Sequence, residues 1–234
     1  MDEFKGKVII VTGAASGIGR STALHFAKRG PKVLKSDIQE ENSNETVNLI
    51  SVTGGIAKFI KADVSKADEC KNLVNKTIDE FGRLDFAFNN AGISGEMNPV
   101  AEYTVDGWRK VVDVNLSSVF YCMKYQIPVI LKQGGAIVNM SSILGRVGFM
   151  NSPGYVATKH AINGLTKNAA LEYSGKGIRI NCVGPGFIDT PLLSALDDET
   201  KKQLVLKHPI GRLGKPDEIA ELVAWLCSGN ASFV

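Results

Sequence analysis

The sequence contains no long hydrophobic run, few cysteines and histidines, and little net charge. Its 234 residues include four cysteines and three histidines, and 27 basic residues nearly balance 24 acidic ones, giving a net charge of +3. No apolar stretch approaches the roughly 18 residues of a membrane span. No basic stripe typical of nucleic-acid-binding proteins is present either. These absences argue against a membrane protein and against a nucleic-acid partner.

Leader and metal-binding signals are also missing. The amino terminus carries two acids, Asp2 and Glu3, where a secretory signal needs basic residues. The cysteines lack C-x-x-C spacing and a neighbouring histidine, which is unlike a metal site or a dense disulfide framework. They are Cys70, Cys122, Cys182 and Cys227. We therefore expect a cytoplasmic protein with reduced thiols and no metal.

What the sequence does contain is a regular alternation of short aliphatic runs and longer amphipathic segments. The predicted strands are Lys7–Thr12, Lys32–Asp37, Ile56–Asp63, Leu84–Asn89, Ala136–Ser141 and Ile178–Val183. The predicted helices begin at Gly17 and near Gln39, or span Lys66–Phe81, Thr104–Leu131, Gly154–Lys176 and Pro216–Ser228. Strands that alternate with helices form parallel sheets with helices on both faces. The sequence predicts an α/β fold with a doubly wound parallel sheet, in one domain over residues 1–234.

A glycine-rich loop follows the first predicted strand. Gly13, Gly17 and Gly19 stand between this strand and the next helix, where glycines permit a tight turn and let the backbone approach a pyrophosphate. The helix then offers free N–H groups to the phosphates. The expected contacts are Gly13, Ser16, Gly17, Ile18 and Gly19. A P-loop is excluded because no Gly-Lys-[Ser/Thr] follows.

An acid at the end of the second strand indicates which dinucleotide binds. Asp37 lies about 20 residues beyond the loop, where a carboxylate accepts both hydrogen bonds of an adenosine ribose diol and repels a 2′-phosphate. The sequence therefore predicts NAD as the cofactor rather than NADP. Lys35, two residues earlier on the same strand face, weakens this argument. The alternative is an aspartate that only caps the next helix.

Four motifs, taken together in this order, resemble the short-chain dehydrogenase/reductase family. They are Gly13-x-x-x-Gly17-x-Gly19, Asn89-Asn90-Ala91-Gly92, Ser141-Ser142 and Tyr155-x-x-x-Lys159. The resemblance runs from about Lys5 to the end of the chain. It implies a Rossmann-fold oxidoreductase that transfers hydride between a nicotinamide and a secondary alcohol or ketone.

The catalytic residues follow from spacing and resemblance together. Tyr155 and Lys159 lie four residues apart on one face of a predicted helix, and an ammonium beside the phenol is expected to lower its pKa. Ser142, at the end of a strand, is expected to hydrogen-bond the substrate oxygen. The resemblance adds Asn115 as part of a water-mediated proton relay with Lys159. For Asn115 a purely structural role stays open.

The resemblance also implies further cofactor contacts. Asp63 and Val64 resemble the adenine-binding pair. Asn89, Ala91 and Gly92 resemble the turn beneath the adenosine ribose, and the loop that holds the carboxamide corresponds to Pro185, Gly186, Ile188 and Thr190. Residues 190–208 resemble the substrate lid.

The substrate pocket is expected to be mostly apolar, which suits a secondary alcohol or ketone of modest size, including cyclic ones. Its candidate lining residues are Ile143, Leu144, Val147, Phe149, Phe187, Leu192 and Leu193, with Ser94, Glu96 and Asn151 as polar exceptions. These residues could equally belong to the core.

The resemblance implies a homo-oligomer, a dimer or tetramer, assembled through the helices Thr104–Leu131 and Gly154–Lys176. Two departures from the family pattern stand out. Lys35 is a charge in a strand expected to be buried, and the chain ends at Val234, where the last strand of the family is expected to begin.

Three other functions are alternatives to this interpretation. A 3-oxoacyl-carrier-protein reductase shares the fold and the tetrad but normally uses NADPH. A nucleotide-binding protein without catalysis would not need the intact tetrad. A serine hydrolase is disfavoured, because no G-x-S-x-G motif exists and His25, His160 and His208 have no motif partner.

Overall fold

A computed structural model describes residues 4–194 and 196–234 of the chain. Residues 1–3 and 195 belong to the predicted domain, and residue 195 to the predicted lid, but they lie outside the described residues. The strands are β1 (Val8–Thr12), β2 (Lys32–Asp37), β3 (Ala57–Lys61), β4 (Phe86–Asn89), β5 (Gly135–Met140) and β6 (Ile178–Val183). They form one parallel sheet in the order β3-β2-β1-β4-β5-β6. This confirms the predicted doubly wound parallel sheet.

Helices cover both faces of the sheet. They are α1 (Gly17–Ala27), α2 (Glu41–Val52), α3 (Ala67–Phe81), α4 (Val105–Val112), α5 (Ser118–Ile130), α6 (Pro153–Tyr173), α7 (Pro191–Ser194), α8 (Asp198–Leu206) and α9 (Pro216–Cys227). The core on one face contains residues of α1, α2 and α9, and the core on the other contains residues of α3, α5 and α6. None of these helices is both long and apolar enough to cross a membrane.

Strand β1 lies at the centre of the sheet, and its alternate residues enter different cores. Ile9 and Val11 pack with the first core, whereas Val8 and Ile10 pack with the second. This two-sided burial explains why the sequence of β1 is continuously apolar. The strand pairs with β2 on one side and with β4 on the other. The strand order reverses here, and such a reversal opens a crevice beyond the carboxyl ends of the strands.

One segment differs from the sequence-based expectation, and a second has helices that the expectation did not specify. The helix predicted over Thr104–Leu131 is divided, because a π-helical turn at Asp113–Ser117 separates α4 from α5. Residues 190–208, expected as a lid, contain the short helices α7 and α8. Helix α8 begins after Asp197, whose carboxylate accepts a hydrogen bond from the backbone N–H of Thr200 at 2.7 Å.

Candidate active site

A cavity of about 1110 Å³ lies beyond the carboxyl ends of the strands, at the switch point between β1 and β4. Most of the predicted site residues line it. They are Gly13, Ser16, Gly17, Ile18, Asp37, Asp63, Val64, Ala91, Gly92, Ser142, Tyr155, Lys159, Pro185, Gly186, Ile188 and Thr190. Three predicted residues, Gly19, Asn89 and Asn115, do not line the cavity and lie behind its wall.

The glycine loop is built for close backbone contact. Gly13 has a φ of +64°, and a Cβ added there would lie 2.7 Å from the Cα of Ala91. A Cβ on Gly19 would overlap the carbonyl group of Gly13. Ser16 precedes α1 in an extended conformation and makes no side-chain cap, so the N–H groups of the first helical turn keep their capacity for a ligand. This cradle fits the phosphates of a dinucleotide.

Asp37 is held in place by backbone N–H groups. Its Oδ2 accepts a hydrogen bond from the N–H of Ala15 at 2.9 Å, and its Oδ1 accepts one from the N–H of Gln39 at 3.0 Å. Helix α2 begins only at Glu41 and has Glu40 at its N-cap, so Asp37 is not the cap of that helix. The carboxylate instead ties the glycine loop to the end of β2. Each oxygen retains a lone pair for a ribose hydroxyl.

Lys35 does not extend into the cavity. The side chain is fully buried, and its Nζ donates a hydrogen bond to the carbonyl of Ser43 in α2 at 3.0 Å. Burial lowers the pKa of Lys35 to about 8, although the nearby carboxylate of Asp37 opposes this shift. The charge of Lys35, which is unexpected in this strand, therefore lies in the interior of the protein. The ammonium is directed to α2 and not into the cavity.

Substituting Lys35 by Met should stabilise the protein at neutral pH. The pKa of Lys35 in the fold lies below the ordinary 10.5, so the unfolded chain binds the proton more tightly and the charge opposes folding at every pH below about 8. We expect Lys35→Met to raise the free energy of unfolding at pH 7 by about 1–2 kcal/mol after allowance for solvent screening. The gain should shrink as the pH rises from about 8 to 10.5.

Urea unfolding at pH 7 and pH 10 measures this effect. Lys58→Met on β3 is the matched control, because Lys58 is exposed and forms a surface ion pair with Glu80, and we expect it to change stability by less than about 0.5 kcal/mol. A Lys35→Met variant that is less stable than the wild type at pH 7 would contradict the prediction.

The part of the cavity beyond β3 contains Asp63 and Val64. Hydrogen bonds from the hydroxyl and the N–H of Ser65, at 2.6 and 3.1 Å, reach Oδ1 of Asp63, and the hydroxyl bond is the main reason why the pKa of this carboxyl is lowered. The carbonyl of Val64 accepts a bond from the buried thiol of Cys70 at 3.3 Å. An ionised carboxylate and an apolar side chain are thus fixed next to each other, as the resemblance implies for an adenine site.

The side chains of Asn89 and Asn90 lie in different surroundings. Asn89 is buried away from the cavity, where its amide exchanges hydrogen bonds with Gln126 and donates to Asn139 at 2.9 Å. Asn90 lines the cavity, and its Nδ2 donates to the carbonyls of Thr12 and Gly13 at 3.0 and 3.1 Å. Asn90 therefore joins the turn after β4 to the glycine loop. Both asparagines belong to the same sequence motif. The motif does not indicate which side chain is buried and which lines the cavity, whereas the structure does.

The catalytic candidates Ser142, Tyr155 and Lys159 come together at the end of β5. Tyr155 and Lys159 are on α6, and the Nζ of Lys159 lies 5.3 Å from the centre of the Tyr155 ring. The same Nζ donates a hydrogen bond to the carbonyl of Met140 at 2.8 Å. The hydroxyl of Ser142 accepts a hydrogen bond from the N–H of Leu144 at 3.1 Å, which fixes its orientation.

The expected lowering of the pKa of Tyr155 is wrong. Burial raises the pKa of Tyr155, and the hydrogen bond with Ser142 opposes this only in part. Lys159 is 2% exposed, and burial lowers its pKa to about 8. The ammonium is directed to a carbonyl group rather than to the phenol oxygen, so its charge is poorly placed to favour the phenolate.

Asn115 lies inside the π-helical turn. Its Oδ1 accepts from the N–H of Ile93 and its Nδ2 donates to the carbonyl of Ile93, both at 2.8 Å. The residue is fully buried, and these two bonds give both the oxygen and the nitrogen of its amide a partner. A Cβ on Gly92 would be 3.2 Å from Oδ1 of Asn115 and 3.8 Å from Nζ of Lys159. Asn115 is therefore close to Lys159, and it also fixes the strand-to-helix loop that follows β4.

The part of the cavity expected to take the substrate is mostly apolar. The predicted residues that line it are Ser94, Leu144, Phe149, Phe187, Leu192 and Leu193. Ile143, Val147, Glu96 and Asn151 do not; the carboxylate of Glu96 instead accepts bonds from Thr104 at the start of α4. The sequence missed other residues that line the cavity, among them Met97, Ser152, Leu196, Thr200 and Leu204. Thr200 and Leu204 are four residues apart, which places them on one face of a helix. This spacing was the sequence signal from which these two lining residues could have been found.

These features define an oxidoreductase of the dinucleotide-binding, doubly wound class, and comparisons with known proteins agree. A family model described as Enoyl-(Acyl carrier protein) reductase matches residues 13–234. The cyclohexanol dehydrogenase of Acinetobacter sp. (strain SE19) is 50% identical over 234 residues, which is 100% of this chain and 92% of that protein. The cis-4-hydroxycyclohexanecarboxylate dehydrogenase of Sinomonas cyclohexanicum is 41% identical, covering 100% of this chain and 94% of that protein.

A crystal structure of levodione reductase superimposes with a TM-score of 0.95 and 36% identity, covering 99% of this chain and 94% of that one. The chain belongs to the short-chain dehydrogenase/reductase family. It is accordingly an oxidoreductase that acts on alcohol and carbonyl groups with a nicotinamide cofactor.

Proposed function

We propose that the protein is an NAD(H)-dependent dehydrogenase of cyclic secondary alcohols, working in one domain with residues 190–208 as its substrate lid. The observation that carries the proposal is the position of the Tyr155 phenol, which lines the same cavity as the glycine loop and Asp37. The relatives support a six-membered ring, since one oxidises cyclohexanol and another a hydroxycyclohexanecarboxylate, by their names. The apolar substrate end of the cavity agrees with such a ring.

The residues of the chain have separate tasks in this proposal. The glycine loop would hold the pyrophosphate, Asp37 the adenosine ribose, and residues 185–190 the carboxamide. The bound cofactor supplies the hydride acceptor or donor. Ser142 donates a hydrogen bond to the substrate oxygen, and Tyr155 takes the hydroxyl proton in oxidation or returns it in reduction.

Lys159 and Asn115 act behind the phenol. Because the pKa of Lys159 is already lowered to about 8 by burial, its ammonium gives up a proton more readily than an exposed lysine does. Lys159 would pass the proton onward through water near Asn115. The side chain of Asn115 is engaged by Ile93, so such a water would use a remaining lone pair of Oδ1 or the backbone of the π-helical turn.

A direct assay tests this function. Purified protein is incubated with cyclohexanol and a panel of acyclic and cyclic secondary alcohols plus NAD, and the absorbance of reduced nicotinamide is followed. Turnover of cyclic alcohols well above acyclic ones supports the proposal. A rival 3-oxoacyl-carrier-protein reductase would instead prefer NADPH with a 3-oxoacyl thioester, and a nucleotide-binding protein without catalysis would bind NADH and turn over nothing.

Asp37 should determine the choice between the two dinucleotides. We expect wild-type kcat/KM to be higher with NAD than with NADP, because the carboxylate repels a 2′-phosphate. In Asp37→Asn this preference should fall by about 10- to 100-fold, which matches removal of a charge repulsion of a few kcal/mol. Kinetics with both cofactors measure the ratio.

Glu41→Gln is the control for Asp37→Asn. Glu41 is exposed on α2 just beyond the site, and its loss removes the same charge without touching the cavity. Its cofactor preference should stay that of the wild type. Comparable kcat/KM with NAD and NADP in the wild type would contradict the assignment of Asp37.

The two reaction directions should depend on pH in opposite ways. Oxidation needs the phenolate of Tyr155, and burial raises the pKa of this phenol, so kcat/KM for alcohol oxidation should rise from pH 7 toward pH 10. Reduction needs the protonated phenol and should weaken over the same range. An oxidation rate that is already constant below pH 7 would contradict a buried phenol as the base.

We also propose a homo-oligomer in the cytoplasm. Phe120 on α5 is 48% exposed and Leu171 on α6 is 88% exposed, on the two helices expected to assemble. The four cysteines are free thiols, which agrees with a reducing compartment. Light scattering after gel filtration should give a dimer or tetramer mass, and a monomer at micromolar concentration would refute this assembly.

A further inference from the structure

His208 lies just after α8, and both of its ring nitrogens are engaged. Nδ1 is 2.8 Å from the carbonyl oxygen of Leu204, and Nε2 is 3.1 Å from the backbone nitrogen of Phe187. A carbonyl only accepts and a backbone N–H only donates, so Nδ1 must carry the proton and Nε2 must not. The two partners therefore assign opposite hydrogen-bonding roles to the two ring nitrogens.

The two partners of His208 belong to two different segments that both line the cavity. Leu204 is on α8 and lines the cavity, as does Thr200 of the same helix. Phe187 is in the loop after β6, which also lines the cavity. One imidazole thus connects the α8 wall to the loop proposed to hold the carboxamide.

One backbone N–H of this loop, that of Phe187, has its hydrogen-bond partner in His208. The carbonyl of Phe187 accepts a hydrogen bond from the N–H of Gly214 at 2.9 Å, and the N–H of Asp189 donates to the carbonyl of Gly214 at 2.9 Å. The N–H of Phe187 is directed to His208 instead. Without His208 this donor would lose its partner among the described residues.

The ring of His208 also determines the shape of the wall. It meets the Phe187 ring edge-on with 5.7 Å between ring centres, and the Phe187 ring is 5.8 Å from that of Phe149. A Cβ on Gly186 would approach Nε2 of His208 to 2.7 Å. The imidazole therefore packs tightly against the loop backbone, and it supports two aromatic residues that line the cavity.

We propose that His208 is a positioning residue, which acts through the Phe187 N–H to fix the loop after β6 against α8 and so sets the width of the substrate site. The effect on turnover rests on the proposed function, whereas the effect on the loop does not. Because the contact orders a substrate wall rather than the reacting atoms, its loss should raise KM for the alcohol more than it lowers kcat.

Three substitutions of His208 distinguish the effect of its hydrogen bond with the Phe187 N–H from the effect of side-chain size. Gln places its amide oxygen near the position of Nε2 and can accept the Phe187 N–H. Asn reaches only as far as Nδ1 and can serve only Leu204, and Ala serves neither. We expect kcat/KM for cyclohexanol to fall about 10- to 100-fold in His208→Ala and His208→Asn, mostly through KM, and to remain within about threefold of the wild type in His208→Gln.

His160→Ala is the matched control. The Nδ1 of His160 also lies 2.9 Å from a carbonyl four residues earlier, that of Val156, but its Nε2 has no hydrogen-bond partner among residues 4–194 and 196–234. Its kinetics should be those of the wild type. Thermal unfolding of each variant verifies that the protein is folded at the assay temperature.

A second measurement does not require turnover. Hydrogen–deuterium exchange of peptides that cover residues 185–190 reports the Phe187 N–H directly. Its protection should be lost in His208→Ala and His208→Asn and kept in His208→Gln. Equal protection in all three variants, or equal loss in all three, would overturn the proposal. A wild-type protein that turns over no alcohol while showing the expected exchange pattern would refute the proposed function and leave the role of His208 intact.

Discussion

Tyr155→Phe is expected to lower kcat for cyclohexanol oxidation by about 10²- to 10⁴-fold, the usual contribution of a general acid–base group. The substitution removes a single oxygen. The ring continues to fill its place beside Lys159, so packing and fold should be retained. Affinity for NADH, measured by fluorescence of the bound cofactor, should change by less than about threefold, because the phenol oxygen is needed for proton transfer rather than for holding the nucleotide.

Tyr173→Phe provides a control on the same helix. Tyr173 also lies beneath a lysine ammonium, with the Nζ of Lys176 at 5.0 Å from the ring centre, but it packs in the core behind the sheet and does not line the cavity. Its kcat should equal that of the wild type. If Tyr155→Phe kept activity within about tenfold of the wild type, Tyr155 would not be the proton-transfer group.

The strands were predictable because their burial pattern is present in the sequence itself. β2 and β6 have the predicted bounds, Lys32–Asp37 and Ile178–Val183, and β1 begins one residue later than expected. Continuous aliphatic runs of this length are typical of parallel strands that are buried on both faces. The glycine loop was predictable for a similar reason, since its demands on the backbone are local.

The π-helical turn could not be predicted, because its cause lies elsewhere in the chain. Asn115 is bound to the backbone of Ile93, 22 residues away. The periodicity of residues 104–131 contains no sign of this contact, so it predicted one continuous helix. Tertiary hydrogen bonds of one side chain thus override a helical pattern, as is common near functional sites.

The same limit applies to electrostatics. The spacing of Tyr155 and Lys159 correctly indicated that both lie on one helix face, but it could not reveal that the ammonium hydrogen-bonds the carbonyl of Met140. Burial, which raises one pKa and lowers the other, depends on the packed structure. His208 was dismissed for a related reason, since its partner is a backbone N–H 21 residues away and no motif records a backbone group.

Gly19→Ala should weaken NADH binding by about 100-fold, the upper end of what overpacking costs. A methyl group at this position would overlap the carbonyl of Gly13 and lie 2.7 Å from Nδ2 of Asn90. Asn90 also donates to the Gly13 carbonyl, so the methyl would separate the glycine loop from the turn after β4. Gly19 itself does not line the cavity, and the effect would reach the nucleotide through Gly13. Titration of the variant with NADH, followed by fluorescence, measures the dissociation constant.

Gly164→Ala is the control for Gly19→Ala. It distinguishes the overlap with Gly13 from a general effect of adding a methyl group to a helix. Gly164 also lies inside a helix, α6, but it is exposed, and a Cβ there would have no heavy atom within 4 Å. Both substitutions gain the same intrinsic helix propensity, about 1 kcal/mol, so the difference between the variants reports the overlap alone. Gly164→Ala should bind NADH as the wild type does and unfold at the same or a higher temperature. Wild-type affinity in Gly19→Ala would mean that the contact of α1 with Gly13 does not shape the phosphate site, and the cradle would then have to be attributed to Gly13 and Gly17 alone.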